Sequence, residues 1–414
     1  MNILYVINNA FTQGNGLTAS CRRTIKYLRM AGENVEVLSA ADPNGLIEPA
    51  YKLPDYTMPI FDRLVKKQGY AFADTDEYTM RKAVDWADVV HLEEPFVTEK
   101  EVCRIAEEMG TPVVATYHLH PENLFASVNF DKPWLNKITL KLWEHMVFNK
   151  CEIIQCPTQK VKERLEKHHV KAELRVISNG IIPDEEDEDS LPSPPTSPYI
   201  VVCTGRYSAE KDQSTLLEAM RYCENSKNIQ LVFAGKGPLE KKLKKRAAEL
   251  LKQGVLNTMP TFDFYNQKQL RNLYAQSSLY IHCAYVEVEG LSCLEAIQTG
   301  LVPVIAEGEM SAASQFALSP ESLFPAKDPK VLAQRIDYWL SNDDRRREEA
   351  EKYTAYREQY DIKKSVTQLI EMYEDALAMK GKQTKKQLLP VSADREPIGA
   401  SRLPVEATPE KQCH

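Results

Sequence analysis

The stretch richest in chemistry is Glu287-Val288-Glu289-Gly290-Leu291-Ser292-Cys293-Leu294-Glu295-Ala296-Ile297. An apolar strand ends there in an acidic loop, and a glycine opens a helix. The first amides of a helix have no carbonyl partner within it. Those of Gly290, Leu291 and Ser292, together with the helix dipole, suit a phosphate. Glu287 precedes the turn and Glu295 lies one turn further in, so the two acids bracket an extended ligand. The same spacing also fits a capped surface helix with solvated carboxylates.

A second group, Gly205-Arg206-Tyr207-Ser208-Ala209-Glu210-Lys211, follows an apolar strand. Open α/β sheets bind ligands at the carboxyl ends of their strands. Arg206 and Lys211 aimed at one diphosphate would neutralise it and stabilise charge on a departing phosphate. A solvated pairing with Glu210 is the alternative. Third is Thr116-Tyr117-His118-Leu119-His120 at another strand end. Strand alternation would put His118 and His120 on one side. No third ligand accompanies them, so a metal is not expected.

Other motifs exclude chemistry. Gly14-Asn15-Gly16 lacks the third glycine of a dinucleotide fingerprint, because that position holds Ala19. The strand Val35–Leu38 runs into Ser39, where a nicotinamide site needs an acid for the ribose. Gly235-Lys236-Gly237 lacks the spacing and the Lys-Ser/Thr pair of a P-loop. Asp74-Thr75-Asp76 stands before a helix rather than after an apolar strand, which favours an N-cap over a metal site.

The elements that must position these residues alternate strand and helix. Ile3–Ile7, a glycine loop, a helix over 18–31 and Val35–Leu38 form a βαβ unit with parallel strands. The rhythm continues through 87–92, 98–109, 112–117, 153–156, 159–167 and 174–177. Acidic residues 184–189 and the proline-rich 191–198 interrupt it and are expected to be a linker. The rhythm resumes at Tyr199-Ile200-Val201-Val202-Cys203, with helices over 213–223, 238–252 and 291–299 and strands over 230–234, 279–284 and 302–305. The expected division is 1–183, a linker 184–198, 199–380 with C-terminal helices, and a disordered tail 381–414, which holds four prolines and no aromatic residue. Two doubly wound parallel-sheet halves place a ligand in the cleft between them.

Composition agrees with this. The chain has 414 residues, and 52 basic against 59 acidic side chains leave a net charge of −7. That balance argues against a mainly nucleic-acid-binding protein. Nine cysteines without a Cys-x-x-Cys pair suggest small buried hydrophobes in a reducing compartment. No basic leader precedes the first strand, and no apolar run reaches about 18 residues. A cytosolic protein is therefore expected.

Across residues 1–378 the chain resembles a family 4 glycosyltransferase. The matching pieces are Gly14–Gly16, Thr116-Tyr117-His118, Ser178-Asn179-Gly180-Ile181, Gly205-Arg206 with Glu210-Lys211, Gly235-Lys236-Gly237-Pro238, and Glu287 with Glu295. The resemblance implies the GT-B fold: two Rossmann-like halves facing a central cleft. It implies a retaining transfer from a nucleotide-diphosphate sugar held mostly by the second half, with no metal or other cofactor. It implies that Arg206 and Lys211 grip the diphosphate, that Glu295 binds the ribose, and that Glu287 lies beside the sugar hydroxyls. Gly290, Leu291 and Ser292 would face the phosphate, Gly16 would approach it from the first half, and His118 would face the sugar. Many relatives carry Gly-Phe-Gly after the first glutamate. This chain has Val288-Glu289-Gly290, and the resemblance gives Glu289 no role.

Two basic, apolar segments bear on the acceptor. Trp134, Ile138, Leu142 and Met146 form one helical stripe beside Lys137 and Lys141, and residues 60–67 end in Lys66-Lys67. Such segments suit an anionic bilayer surface, and a core-facing helix with a solvated edge is the alternative. His118-Leu119-His120-Pro121-Glu122-Asn123 and the Glu-Val-Glu-Gly variant look similar to bacterial relatives with lipid acceptors. The expectation is a glucosyl or galactosyl transfer from UDP-glucose or UDP-galactose to diacylglycerol or a ceramide-type lipid, on the inner face of the cell membrane. The same donor chemistry on a soluble or polysaccharide acceptor, an epimerase of this shape, and a non-catalytic sugar-nucleotide-binding protein are the competing readings.

Overall fold

A computed structural model describes residues 1–10, 16–40, 49–56, 72–127, 130–182, 194–195 and 197–381. Its first half is built on β1 (Asn2–Val6), β2 (Asn34–Ala40), β3 (Tyr51–Leu53), a short antiparallel pair β4 (Asp55–Tyr56) and β5 (Phe72–Ala73), β6 (Val89–Leu92), β7 (Val113–Thr116), β8 (Ile153–Cys156) and β9 (Glu173–Val176). Seven of these strands form one parallel sheet in the order β3-β2-β1-β6-β7-β8-β9.

The sheet is covered on both faces, so its strands are apolar on both sides. Leu4, Val6, Leu38, Val90 and Leu92 pack with Met80, Ala83 and Val84 of α2 (Glu77–Trp86) and Val102, Ile105 and Ala106 of α3 (Val97–Met109). Ile3, Tyr5, Val35 and Val89 face Cys21, Ile25 and Leu28 of α1 (Gly16–Met30). Asp76 caps α2 by accepting from the Thr79 amide, as its position before a helix predicts. The first half continues with α4 (Pro121–Ser127), α5 (Pro133–Met146) and α6 (Gln159–Lys167).

The second half has β10 (Tyr199–Thr204), β11 (Ile229–Ala234), β12 (Thr261–Asp263), β13 (Leu279–His282), β14 (Val286–Glu287), β15 (Pro303–Glu307), β16 (Met310–Ser311) and β17 (Leu323–Pro325). Six of them make a second parallel sheet, ordered β12-β11-β10-β13-β15-β17. β14 and β16 pair separately, with Glu287 opposite Ser311. The helices are α7 (Gln213–Ala219), α8 (Glu240–Lys252), α9 (Gln267–Ala275), α10 (Leu291–Gln298), α11 (Pro329–Ser341), α12 (Asp343–Tyr356) and α13 (Ile362–Met379). The expected helix over 213–223 stops at Ala219.

By chain position α13 falls in the second half, but its packing places it on the first. Val366, Leu369, Met372, Tyr373 and Ala376 join the core around Ile3, Tyr5, Val114 and Ile153. The Tyr373 hydroxyl bonds Tyr5 and His91 beneath the first sheet, at 2.8 and 2.7 Å. Most of the expected linker and nearly all of the expected tail lie outside the described residues.

Candidate active site

The carboxyl ends of both sheets open onto one crevice of about 790 Å³. From the first half it is lined by Gly16, Ser20, Arg23, His118 and Asn123. From the second it is lined by Arg206, Lys211, Glu287, Gly290, Leu291, Ser292 and Glu295. Every donor-side residue expected from the sequence is therefore in one place.

Gly290 precedes α10 with φ of +96°, a left-handed conformation that favours glycine. It opens α10 at the crevice, which Gly290, Leu291 and Ser292 line. The Ser292 hydroxyl bonds Tyr280 at 2.9 Å, and Tyr280 bonds His282 Nδ1 at 3.1 Å. His282 Nε2 stands 3.5 Å from Glu287 Oε2, and Lys211 Nζ donates to that same oxygen. Hydrogen bonds thus run from the helix opening to His282, whose Nε2 stops short of one with Glu287. Burial raises the Glu287 carboxyl, but Lys211 and His282 outweigh it and hold the group at about 2.

This depression predicts a pH effect. A carboxyl held at about 2 when folded and near 4.5 when unfolded adds stability that is complete above about pH 4.5. That stability is lost as pH falls towards 2. The contribution is about 2–3 kcal/mol at neutral pH. Urea titrations of the wild type and Glu287→Gln should show a gap that narrows from pH 5 downwards; a gap independent of pH would refute the coupling.

Arg206 reaches Glu210 at 3.4 Å, as the alternative pairing predicted, but Glu210 is a buried anchor rather than a solvated partner. Ser208 also donates to Glu210, which fixes the loop that presents Arg206 and Lys211. Glu289 has a clear place as well. It accepts from the Ser178 hydroxyl, the Asn179 amide at 3.2 Å and Asn179 Nδ2 at 2.6 Å. The acid beside the helix opening thereby grips the end of the first half. Thr158 and Lys160 add to that hold: Thr158 bonds the Val288 carbonyl at 3.2 Å, and Lys160 bonds those of Gly308 and Ser311 at 2.7 and 2.9 Å.

His118 and His120 do not share a side, because β7 stops at Thr116. His118 lines the crevice, with Nε2 2.7 Å from Glu93 Oε2. His120 turns inward to Tyr117 and Arg164 at 3.1 and 3.2 Å. Burial and the Arg164 charge lower its basicity. Burial raises Glu93, yet His118 and His91 pull its carboxyl below the usual range.

Sequence reasoning missed Arg23 and the aromatic residues Phe264 and Tyr265 at the crevice wall, and Glu93 buried behind His118. Glu93 follows the apolar strand β6, which is the signal that marks strand-end residues generally. Arg23 sits mid-helix and carries no such signal.

On the first half's surface, α5 exposes Trp134, Ile138 and Leu142 by 60, 56 and 52%. Lys137 and Lys141 are exposed beside them, while Leu140 and Trp143 face the core. The stripe therefore points outward rather than into the core, with Met146 half-buried at its end. Lys66 and Lys67 lie outside the described residues.

A family model described as Glycosyltransferase Family 4 matches residues 14–185, and one described as Glycosyl transferases group 1 matches 184–360. The chain is 25% identical over 330 residues to alpha-monoglucosyldiacylglycerol synthase of Streptococcus pneumoniae, spanning 74% of this chain and 71% of that enzyme. It is 22% identical over 322 residues to a sulfoquinovosyl transferase of Arabidopsis thaliana, spanning 73% of this chain and 58% of that one. Among solved structures, the Anabaena protein HepE in complex with UDP superposes with a TM-score of 0.69 at 16% identity, over 91% of this chain and all of that one. End to end, the two family models take in both halves and every donor-side residue of the crevice, and the chain belongs to the family 4 glycosyltransferases of GT-B fold, as a hexosyltransferase.

Proposed function

We propose that the protein transfers glucose or galactose from a UDP-sugar to a membrane lipid such as diacylglycerol or a ceramide, with retention, giving an α-glycolipid. The observation that carries the donor half of this reading is the convergence of Arg206, Lys211 and the opening of α10 on one crevice. Two fixed cations and unpaired amides match a diphosphate and stabilise it as it leaves. The same groups supply the positive charge that the leaving group needs, so the reading calls for no metal. Glu287 and His118 line the crevice from the two halves, where the hexose would lie, and Glu295, which lines it too, would meet the ribose. The acceptor hydroxyl would approach from the first half, attack on the face that the diphosphate vacates, and pass its proton to the departing phosphate.

The acceptor half rests on α5. A stripe of Trp134, Ile138 and Leu142 flanked by Lys137 and Lys141 is complementary to an anionic bilayer, apolar to chains and basic to headgroups. Among the described residues no helix is long and apolar enough to cross a membrane, so the reading is peripheral attachment at the inner face. The pneumococcal relative's name, a glucosyldiacylglycerol synthase, supports a lipid acceptor, and UDP in the Anabaena protein supports the nucleotide.

A panel of sugar nucleotides with diacylglycerol and ceramide in phosphatidylglycerol vesicles, read by mass spectrometry, tests both halves. A hexosyl-lipid and co-sedimentation with the vesicles are expected, and Ile138→Glu should cut co-sedimentation several-fold. Turnover of a soluble sugar acceptor without vesicle binding would overturn the lipid reading. An altered free sugar made without any acceptor would reveal an epimerase.

A further inference from the structure

Arg23 projects from α1 into the crevice, opposite the helix that bears Glu295. Its side chain is 9% exposed, and Nη1 lies 3.9 Å from Glu295 Oε1, too far for a hydrogen bond. Among the described residues, nothing accepts a hydrogen bond from its buried Nε or Nη2. Burial lowers the basicity of this guanidinium, and Glu295 and Glu289 push it back up. Idle buried donors on a cation cost stability unless an acceptor reaches them. The fork of an arginine matches oxyanions, and phosphate above all.

Position along α10 selects the phosphate. The first-turn amides of that helix meet the outer phosphate under the donor reading, and Glu295 sits four residues past Leu291, about 6 Å along the axis. A nucleotide laid from the helix opening towards Glu295 brings its inner phosphate abreast of Arg23.

We propose that Arg23 binds the inner (α) phosphate of the donor nucleotide, so that the nucleotide is held by a cation from each half of the molecule. The inference rests on the donor reading above. It makes Arg23 and Glu295 a matched pair, the carboxylate for ribose hydroxyls and the guanidinium for the phosphate next to them. It also gives the first half a direct stake in donor binding, beyond the approach of Gly16.

Equilibrium titration of the full chain with UDP, UMP and uridine separates the possibilities. Arg23→Met should weaken UDP and UMP alike by at least tenfold and leave uridine within twofold. Arg23→Lys keeps the charge without the fork and should fall between. UDP affinity equal to wild type in Arg23→Met would overturn the proposal, as would an equal loss for uridine, which would move the contact to the ribose. Should Arg23→Met fail to fold by thermal unfolding, Arg23→Lys carries the same comparison. A wild type that ignores UDP altogether would instead overturn the donor reading.

Discussion

Arg206→Ala should lower kcat/KM by about 2–4 kcal/mol, the range for removing a preorganised donor from a charge that develops in the transition state. That is roughly 30- to 1,000-fold. The size follows from preorganisation. Glu210 is buried and gripped by Ser208, and it holds the Arg206 side chain from below at 3.4 Å. The guanidinium therefore needs little reordering when the diphosphate departs. A second cost adds to the first, because the substitution strips a buried carboxylate of its cation, and Oε2 of Glu210 already lacks a partner among the described residues. Arg206→Lys should recover part of the rate, since it restores charge but not the planar fork. Steady-state kinetics with the best donor, together with UDP titration, separates the two effects: lost leaving-group stabilisation lowers kcat, while lost loop order raises KM for the donor. A rate unchanged within error would remove Arg206 from the site.

What the sequence disclosed and what it concealed divide along a physical line. Features that depend on neighbours within one turn or one strand were legible: the glycine before α10, the cap at Asp76, the cations after β10 and the apolar stripe of α5, though not the direction in which it points. Each is set by a local backbone requirement or by a periodicity of burial. The hidden features join residues far apart in the chain. Glu289 looked like a spare acid because its partners, Ser178 and Asn179, are 111 and 110 positions away. Arg23 meets Glu295 only once the two sheets face each other. His118 was visible at the end of its strand, but its partner Glu93 lies at the end of the neighbouring strand β6, and pairing of β6 with β7 is what brings them together. The same holds for α13, whose apolar stripe shows that it must be covered without showing by which half.

Gly235 shows the same division at a single residue, and it carries the largest expected effect on stability. In sequence, Gly235-Lys236-Gly237 is excluded as a P-loop and counts only as one piece of the family resemblance. In the fold, these glycines are where the loops after β10 and β11 cross. A Cβ on Gly235 would stand 2.1 Å from the Gly205 carbonyl oxygen, and one on Gly237 would stand 2.5 Å from that of Tyr207. Neither obstacle is a flexible side chain; both are backbone, tied across the crossing by Gly205 N to the Ala234 carbonyl and Tyr207 N to the Lys236 carbonyl, each at 3.0 Å. Gly235→Ala must push the two loops apart, which costs about 3 kcal/mol on the scale of overpacked cores. In a chain of 414 residues melting as one unit, that is a fall in Tm of roughly 3–4 °C. The displaced strand end is also the one that carries Arg206, so UDP affinity should drop at least tenfold in whatever fraction remains folded. Gly16→Ala provides the contrast, since no heavy atom of the described residues lies within 4 Å of the Cβ it would add. That variant should keep its Tm within about a degree, and any loss it shows should be confined to the donor. If Gly235→Ala instead melted with the wild type and bound UDP as well, the crossing would have room to yield, and the glycines would need a cause other than the contact of two backbones.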